Sequence, residues 1–285
     1  MKKDVLDIHD LRKYTPFFKS RPGTFLAKRL FRWLSIDKVN RIHANHCHLQ
    51  GAAYTSAMLS DPLMDVKYRI HNEERLQTLP EGAFITVSNH PVGSLDGIIL
   101  IDIFASRRPD FKVMVNGMLT KIGAMADNFI SVTPRTDDQD SPKTTNVNGV
   151  RLSLGRLKDG HPMGFFPAGA MSFINRQKQI RDLPWSHSVI RLISKANVPV
   201  YPVYFDCCNS SFFYWLGKVS WKIRTLRVAI EAFNKRGTTL NVYIGEPIPP
   251  QILRQFTDDE ELGAFLYEKT YGVKTAAEKK MPGEP

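Results

Sequence analysis

"AFITVSNHPVGSLDGIILI" (residues 83–101) runs an apolar, β-branched segment straight into Asn89-His90-Pro91. It leaves through Asp96 into a second apolar run. Ala83 to Ser88 has the composition of a buried strand. Pro91 and Gly93 bar a regular helix directly after it, and Ser94 is placed to cap a helix that starts near Leu95. A strand that turns so quickly into a helix is the opening unit of an α/β sheet.

The same corner carries possible chemistry. On a continuous helix His90 and Asp96 would stand about 240° apart and could not face each other. Gly93, free to take positive φ, can instead fold the histidine back over the start of the helix. Asp96 would then hold one ring nitrogen and leave the other as a base for a hydroxyl or amine. A plainer reading puts Asp96 in a helix first turn, where the macrodipole favours acids, beside a histidine in an ordinary turn. The pair alone leaves both readings open.

Working outward, short runs rich in Val, Ile and Phe predict further strands at Phe111–Val115, Phe129–Thr133, Met163–Phe166, Val198–Phe205 and Leu240–Ile244. Helical spacing appears between them in "VNGVRLSLGRLKDG", stopped by Gly160, and again at 185–197 and 258–270. The expected fold is α/β, a mixed sheet flanked by helices, with amphipathic helices at the N-terminus.

The chain has 285 residues, 42% hydrophobic and 24% charged, an ordinary globular composition. No window reaches the ~18 uninterrupted apolar residues of a membrane-spanning helix. The first residues lack the apolar core of a secretory signal. Cys47, Cys207 and Cys208 are odd in number and two are adjacent, which argues against a disulfide framework and for a reducing compartment.

The net charge is +11, and residues 1–41 hold eleven Lys/Arg against four Asp. Such a segment calls for an acidic partner: anionic lipid, nucleic acid or acidic protein. Within it, "TFLAKRLFRWLS" reads as a helix capped by Thr24, with Leu26, Leu30, Trp33 and Leu34 on one face and Lys28, Arg29 and Arg32 on or beside the other. That pattern suits a helix lying in a bilayer interface or one packed on a core. We expect a basic, membrane-associating helical segment over 1–60, a catalytic domain over 61–270 and a flexible polar tail over 271–285.

Two other clusters invite readings. "RIHANHCH" (41–48) gathers His43, His46, Cys47 and His48, but a structural zinc site wants a second ligand pair along the chain and none is spaced for it. "SSFFYWLGKVSW" (210–221) interleaves aromatics with lysine, a pattern fit for a lipid interface, a core or stacked bases. No nucleic-acid motif accompanies the basic charge, so no nucleic-acid partner is expected.

Four blocks in order carry a resemblance: "NHPVGSLDG" (89–97), "GFFPAGAMSF" (164–173), "VPVYPVYF" (198–205) and the aromatic-basic stretch at 209–227. Together they resemble the glycerolipid acyltransferase superfamily, typified by bacterial 1-acylglycerol-3-phosphate acyltransferases. They are closer to a bacterial branch labelled haemolysin, which includes O-acyltransferases making ornithine and glycine lipids. That branch's Asn-His-Pro-x-Gly-x-x-Asp-Gly motif is matched by Asn89, His90, Pro91, Gly93, Asp96 and Gly97, and its Phe-Pro-Ala-Gly block by Phe166, Pro167, Ala168 and Gly169. Its Leu-Arg-Thr segment has a counterpart in Arg224, Thr225 and Leu226. The likeness covers roughly residues 40–250.

The resemblance implies a fatty acyl transfer from an acyl thioester, on acyl carrier protein or coenzyme A, to the hydroxyl of a lysolipid. The acceptor would be a lysophosphatidic acid or a lyso-aminoacyl lipid. It implies His90 as general base with Asp96 behind it, and no metal or bound cofactor. It also implies acceptor or donor contacts from Asn89, Gly93, Arg135, Phe166, Pro167, Gly169, Ser172 and Arg176, and a peripheral site on the cytoplasmic face of the inner membrane. The rival expectation is a lipid-binding protein that keeps the fold without turnover. Three departures stand out. The His–Asp spacing is one residue longer than in the main superfamily, Ala168 replaces its glutamate, and Phe173 stands where branch members carry an arginine after Ser172. Arg135 and Arg176 are the arginines nearest to filling that gap.

Overall fold

The computed structural model describes residues 4–7, 15–116, 119, 122–132 and 143–280. Three helices come first, α1 (Arg21–Trp33), α2 (Ile36–His46) and α3 (Gly51–Ser60), followed by β1 (Lys67–His71), β2 (Ile85–Ser88), α4 (Ser94–Ala105), β3 (Lys112–Asn116) and β4 (Phe129–Val132). Next are α5 (Lys143–Lys158), β5 (Met163–Phe165), the two-residue strands β6 (Phe173–Ile174) and β7 (Ile180–Arg181), α6 (His187–Ala196) and β8 (Val200–Asp206). The chain closes with α7 (Ser211–Val219), α8 (Trp221–Leu226), α9 (Val228–Phe233), β9 (Thr239–Ile244), α10 (Pro250–Leu253) and α11 (Asp259–Lys280).

Seven strands form one sheet in the order β1-β9-β8-β2-β5-β3-β4. Every pairing is parallel except β8 with β9, so the sheet is mixed, as the sequence predicts. All four residues of β2 are buried, which is why its sequence is an unbroken apolar run rather than an alternating one. Its helix α4 is buried almost all round, with Leu95 and Ile98–Ala105 in the core. The one charge on its later turns, Asp102, accepts bonds from Thr55, Ser56 and Tyr68.

Each expected strand is present with ends shifted by one or two residues. The edge strand β1 is an addition, since "KYRIH" alternates exposed and half-buried positions and carries little apolar signal. Three details differ from expectation. Helix α1 starts a turn earlier than foreseen, because Ser20 caps it by accepting from the Gly23 N–H at 3.1 Å and Pro22 occupies its first turn. Its anticipated stripe splits: Ala27 and Leu34 are buried, while Phe25, Leu26 and Trp33 face outward. Helix α11 runs through the expected tail to Lys280, because Val273 and Ala277, one turn apart, pack on Tyr243 of β9. Tyr54, Met58 and Leu59 of α3 share a core with α4, so packing is continuous across position 60. Among the described residues no helix is long and apolar enough to cross a membrane.

Candidate active site

The parallel strands β5, β2 and β8 lie side by side, and the loops leaving their carboxyl ends converge, the usual place for a site in an open α/β sheet. The β2 loop delivers His90. Asn89 before it is buried, and both ends of its amide bond the backbone of Phe205: Nδ2 donates to the carbonyl at 3.0 Å, and Oδ1 accepts the N–H at 2.7 Å. Asn89 thus extends the β2–β8 ladder by one side chain and fixes where His90 begins.

Gly93 turns the chain with φ +94°, and a Cβ there would lie 2.6 Å from the Met171 sulfur. The position therefore needs glycine for conformation and for space. Ser94 does not cap α4. Asp96 does so from the third helical position, its Oδ2 accepting from the Val92 and Gly93 N–H groups at 3.1 and 3.3 Å. The same oxygen lies 3.2 Å from His90 Nδ1, close enough for an ion pair but off line for a full hydrogen bond. The capping and base-orienting readings of this residue are one arrangement, not alternatives.

A second carboxylate, which nothing in the local sequence announced, supports the loop from the other side. Asp182 is buried; its Oδ1 accepts the His90 backbone N–H at 3.2 Å and the Ser172 hydroxyl at 2.5 Å. Ser172 in turn donates its N–H to the His90 carbonyl at 2.9 Å, and the Asp182 N–H donates to the Tyr271 hydroxyl at 2.9 Å. Burial raises the Asp182 pKa against the pull of these donors. For His90, burial pulls the ring pKa down, but Asp96 and more weakly Asp182 outweigh it, and the net shift is upward.

The ring packs on Phe166, centroids 4.2 Å apart and planes tilted by 33°. Its side chain stays 20% exposed, and Nε2 has no partner among the described residues. A histidine held at Nδ1 by a buried carboxylate, with Nε2 open, can accept a proton from a hydroxyl and carry it as an imidazolium.

Pro167 and Gly169 shape the turn after β5. The Pro167 carbonyl accepts the Ser186 N–H at 2.8 Å, and Gly169, at φ +65°, donates to the Phe166 carbonyl at 3.0 Å. Ala168 is fully buried there. Of the expected site residues, the structure brings together Asn89, His90, Gly93, Asp96, Phe166, Pro167, Gly169 and Ser172. Arg176 is left exposed at the tip of the β6–β7 hairpin. Arg135 lies outside the described residues.

The clustered histidines have separate partners, His43 with Tyr54 at 3.0 Å and His46 with Asp61 at 2.9 Å. A groove of about 780 Å³ lies elsewhere, between the loop after β9 and α11, and contains none of these groups. Convergent polar side chains, not cavity size, mark the site.

The family model described as "Acyltransferase" matches residues 12–279. A lyso-glycine lipid O-acyltransferase of Bacteroides thetaiotaomicron is 34% identical, over 87% of this chain and 89% of that protein. One of the same name from Phocaeicola vulgatus is 29% identical over 87% of each. The crystal structure of PlsC, the 1-acyl-sn-glycerophosphate acyltransferase of Thermotoga maritima, matches with a TM-score of 0.49 and 17% identity, covering 91% of both chains. With nearly its whole length matched by the family model and by a curated relative, the chain belongs to the acyltransferase family and is an acyltransferase.

Proposed function

We propose that the enzyme moves a fatty acyl group from a thioester, on acyl carrier protein or coenzyme A, to the hydroxyl of a lyso-glycine lipid. Glycine has no hydroxyl of its own. The oxygen to be acylated then belongs to the chain joined to its amine, and the headgroup keeps a free carboxylate. The observation that carries the reading is His90, held at Nδ1 beside buried Asp96 with Nε2 open. The relatives' names supply the acceptor.

The acceptor hydroxyl donates its hydrogen to Nε2 as its oxygen attacks the thioester carbonyl. The tetrahedral oxyanion collapses, the C–S bond breaks, and the imidazolium returns the proton to the leaving thiolate. Asp96 pins the ring and offsets its transient charge. The N–H groups of His90, Val92 and Gly93 are already bound to carboxylates, so the oxyanion is met by donors from other segments.

The acceptor is an amphiphile, and the surface suits delivery from a bilayer. Phe25, Leu26 and Trp33 on α1, and Trp215, Val219 and Leu226 on α7 and α8, are exposed beside Lys28, Arg29, Lys218 and Lys222. This supports a peripheral enzyme on an anionic membrane surface, taken here to be the cytoplasmic face of the inner membrane.

Lipid mass spectrometry on cells that make the lysolipid, expressing intact protein or His90→Ala, tests the reading. Intact protein should raise the diacyl glycine lipid and deplete its lysolipid, while the variant loses roughly 10²–10⁴-fold in rate. Equal product from folded His90→Ala removes His90 as the base. No product from intact protein favours the lipid-binding rival.

A further inference from the structure

Arg224 is a cation with a prepared bed and, among the described residues, no counter-ion. Nη1 donates to the Ser172 carbonyl at 3.3 Å, and the Ser172 N–H bonds the His90 carbonyl, so the guanidinium sits one residue's backbone away from the β2 loop. The guanidinium lies over the Phe213 ring, 5.4 Å from its centroid. Gly217 clears the space, since a Cβ there would come within 2.9 Å of Arg224 Cδ and 3.2 Å of Nη1. A glycine inside a helix is less favourable than alanine. The fold accepts that cost where it lets this arginine lie down.

Among the described residues no carboxylate pairs with Arg224, its Nε is enclosed without a partner, and Nη2 takes none. Its neighbour differs: Arg227 is paired with buried Glu231 at 3.3 Å. A half-buried arginine left unpaired beside a site is unusual, because removing such a charge from water without compensation is costly. A ligand that brings the missing anion offsets that cost, and the guanidinium fork fits a carboxylate in the two-point manner. Arg224 offers one charge, which matches a monoanionic carboxylate better than a phosphate dianion.

We infer that Arg224 binds the headgroup carboxylate of the lysolipid acceptor and sets the enzyme's preference for an anionic amino-acid headgroup. The inference rests on the proposed lyso-glycine acceptor and extends it to a residue outside the expected set of site residues.

The test pairs two acceptors of identical chain, an N-(hydroxyacyl)glycine and its neutral glycinamide, with intact enzyme, Arg224→Ala, Arg224→Lys and Gly217→Ala, each checked for folding by circular dichroism. Intact enzyme should prefer the glycine acceptor. Arg224→Ala should lose roughly 10- to 100-fold in kcat/KM on it, mostly through KM, and little on the amide. Arg224→Lys should recover part of the loss. Gly217→Ala, which displaces the arginine without removing it, should raise KM for the glycine acceptor alone. Equal losses on both acceptors, or a raised KM for the thioester donor, would assign Arg224 to the reacting centre, the donor or the fold and overturn the inference. An unchanged glycine-to-amide ratio in Arg224→Ala overturns it too. Intact enzyme that acylates neither compound removes the lyso-glycine reading itself and the inference with it, a result distinct from the others.

Discussion

His90 is wanted in opposite charge states by stability and by catalysis. Its pKa is raised in the folded protein, so the folded state binds the proton more tightly than the unfolded chain does. That contribution to stability is fully present below the unfolded value near 6.5 and is lost as pH climbs through the folded value. The proposed base works only when neutral, so kcat/KM should rise with pH over that same interval, with an apparent pKa above 6.5. In Asp96→Asn the amide oxygen can still accept from Val92 and Gly93, but the larger of the two charges that raise the ring pKa is gone and only Asp182 remains. The acid limb of the pH–rate profile should then move to lower pH while the plateau falls roughly 10- to 1,000-fold. A limb that does not move would mean that Asp96 only caps the helix. This pair was legible in the sequence because two close-set residues and one glycine specify it. Asp182 was not legible, since it arrives from 92 positions away in a stretch with no motif.

The strand-to-helix element is held by a left-handed glycine and a side-chain rung. Gly93→Ala meets both positive φ and the Met171 sulfur, and it should cost about 1–3 kcal/mol, read as a lower denaturation midpoint at unchanged m. Asn89→Ala strips Phe205 of both backbone partners and should cost a similar ~1–3 kcal/mol, with kcat falling as well because His90 loses its fixed origin. Intact activity in folded Asn89→Ala would show that Asp182, Ser172 and Asp96 suffice to hold the loop. Buried strands such as β2 were readable because both faces demand apolar residues. β1 and the two-residue strands of the hairpin were not, because an edge strand can be polar and a two-residue strand has no period.

Among the described residues, most of the large apolar side chains left outside the core gather on and just before α1 and along α7–α8, both among basic residues, with Leu152 of α5 apart from them. If these ledges meet a bilayer, intact protein should bind vesicles containing anionic lipid, with affinity that falls as salt rises. Replacing Trp33 and Trp215 together with serine should weaken binding to vesicles while sparing activity on detergent-dispersed acceptor. Equal activity loss in both formats would place these residues in the acceptor's path instead. Helical spacing in "TFLAKRLFRWLS" foretold an amphipathic helix but could not say which apolar residues turn inward. That was decided by Ala27 and Leu34, which close on the body of the protein.

The bonds that hold His90 reach 92 residues along the chain to Asp182, and those that hold Asn89 reach 116 to Phe205. Contacts of such long range form late, because a large loop must close before any of them is gained. No fragment ending before α11 could hold Tyr271 against Asp182. In refolding from denaturant, far-ultraviolet circular dichroism should return ahead of acyl transfer, and enzymatic recovery should track the slowest structural phase. Turnover is then a report on the last step of folding.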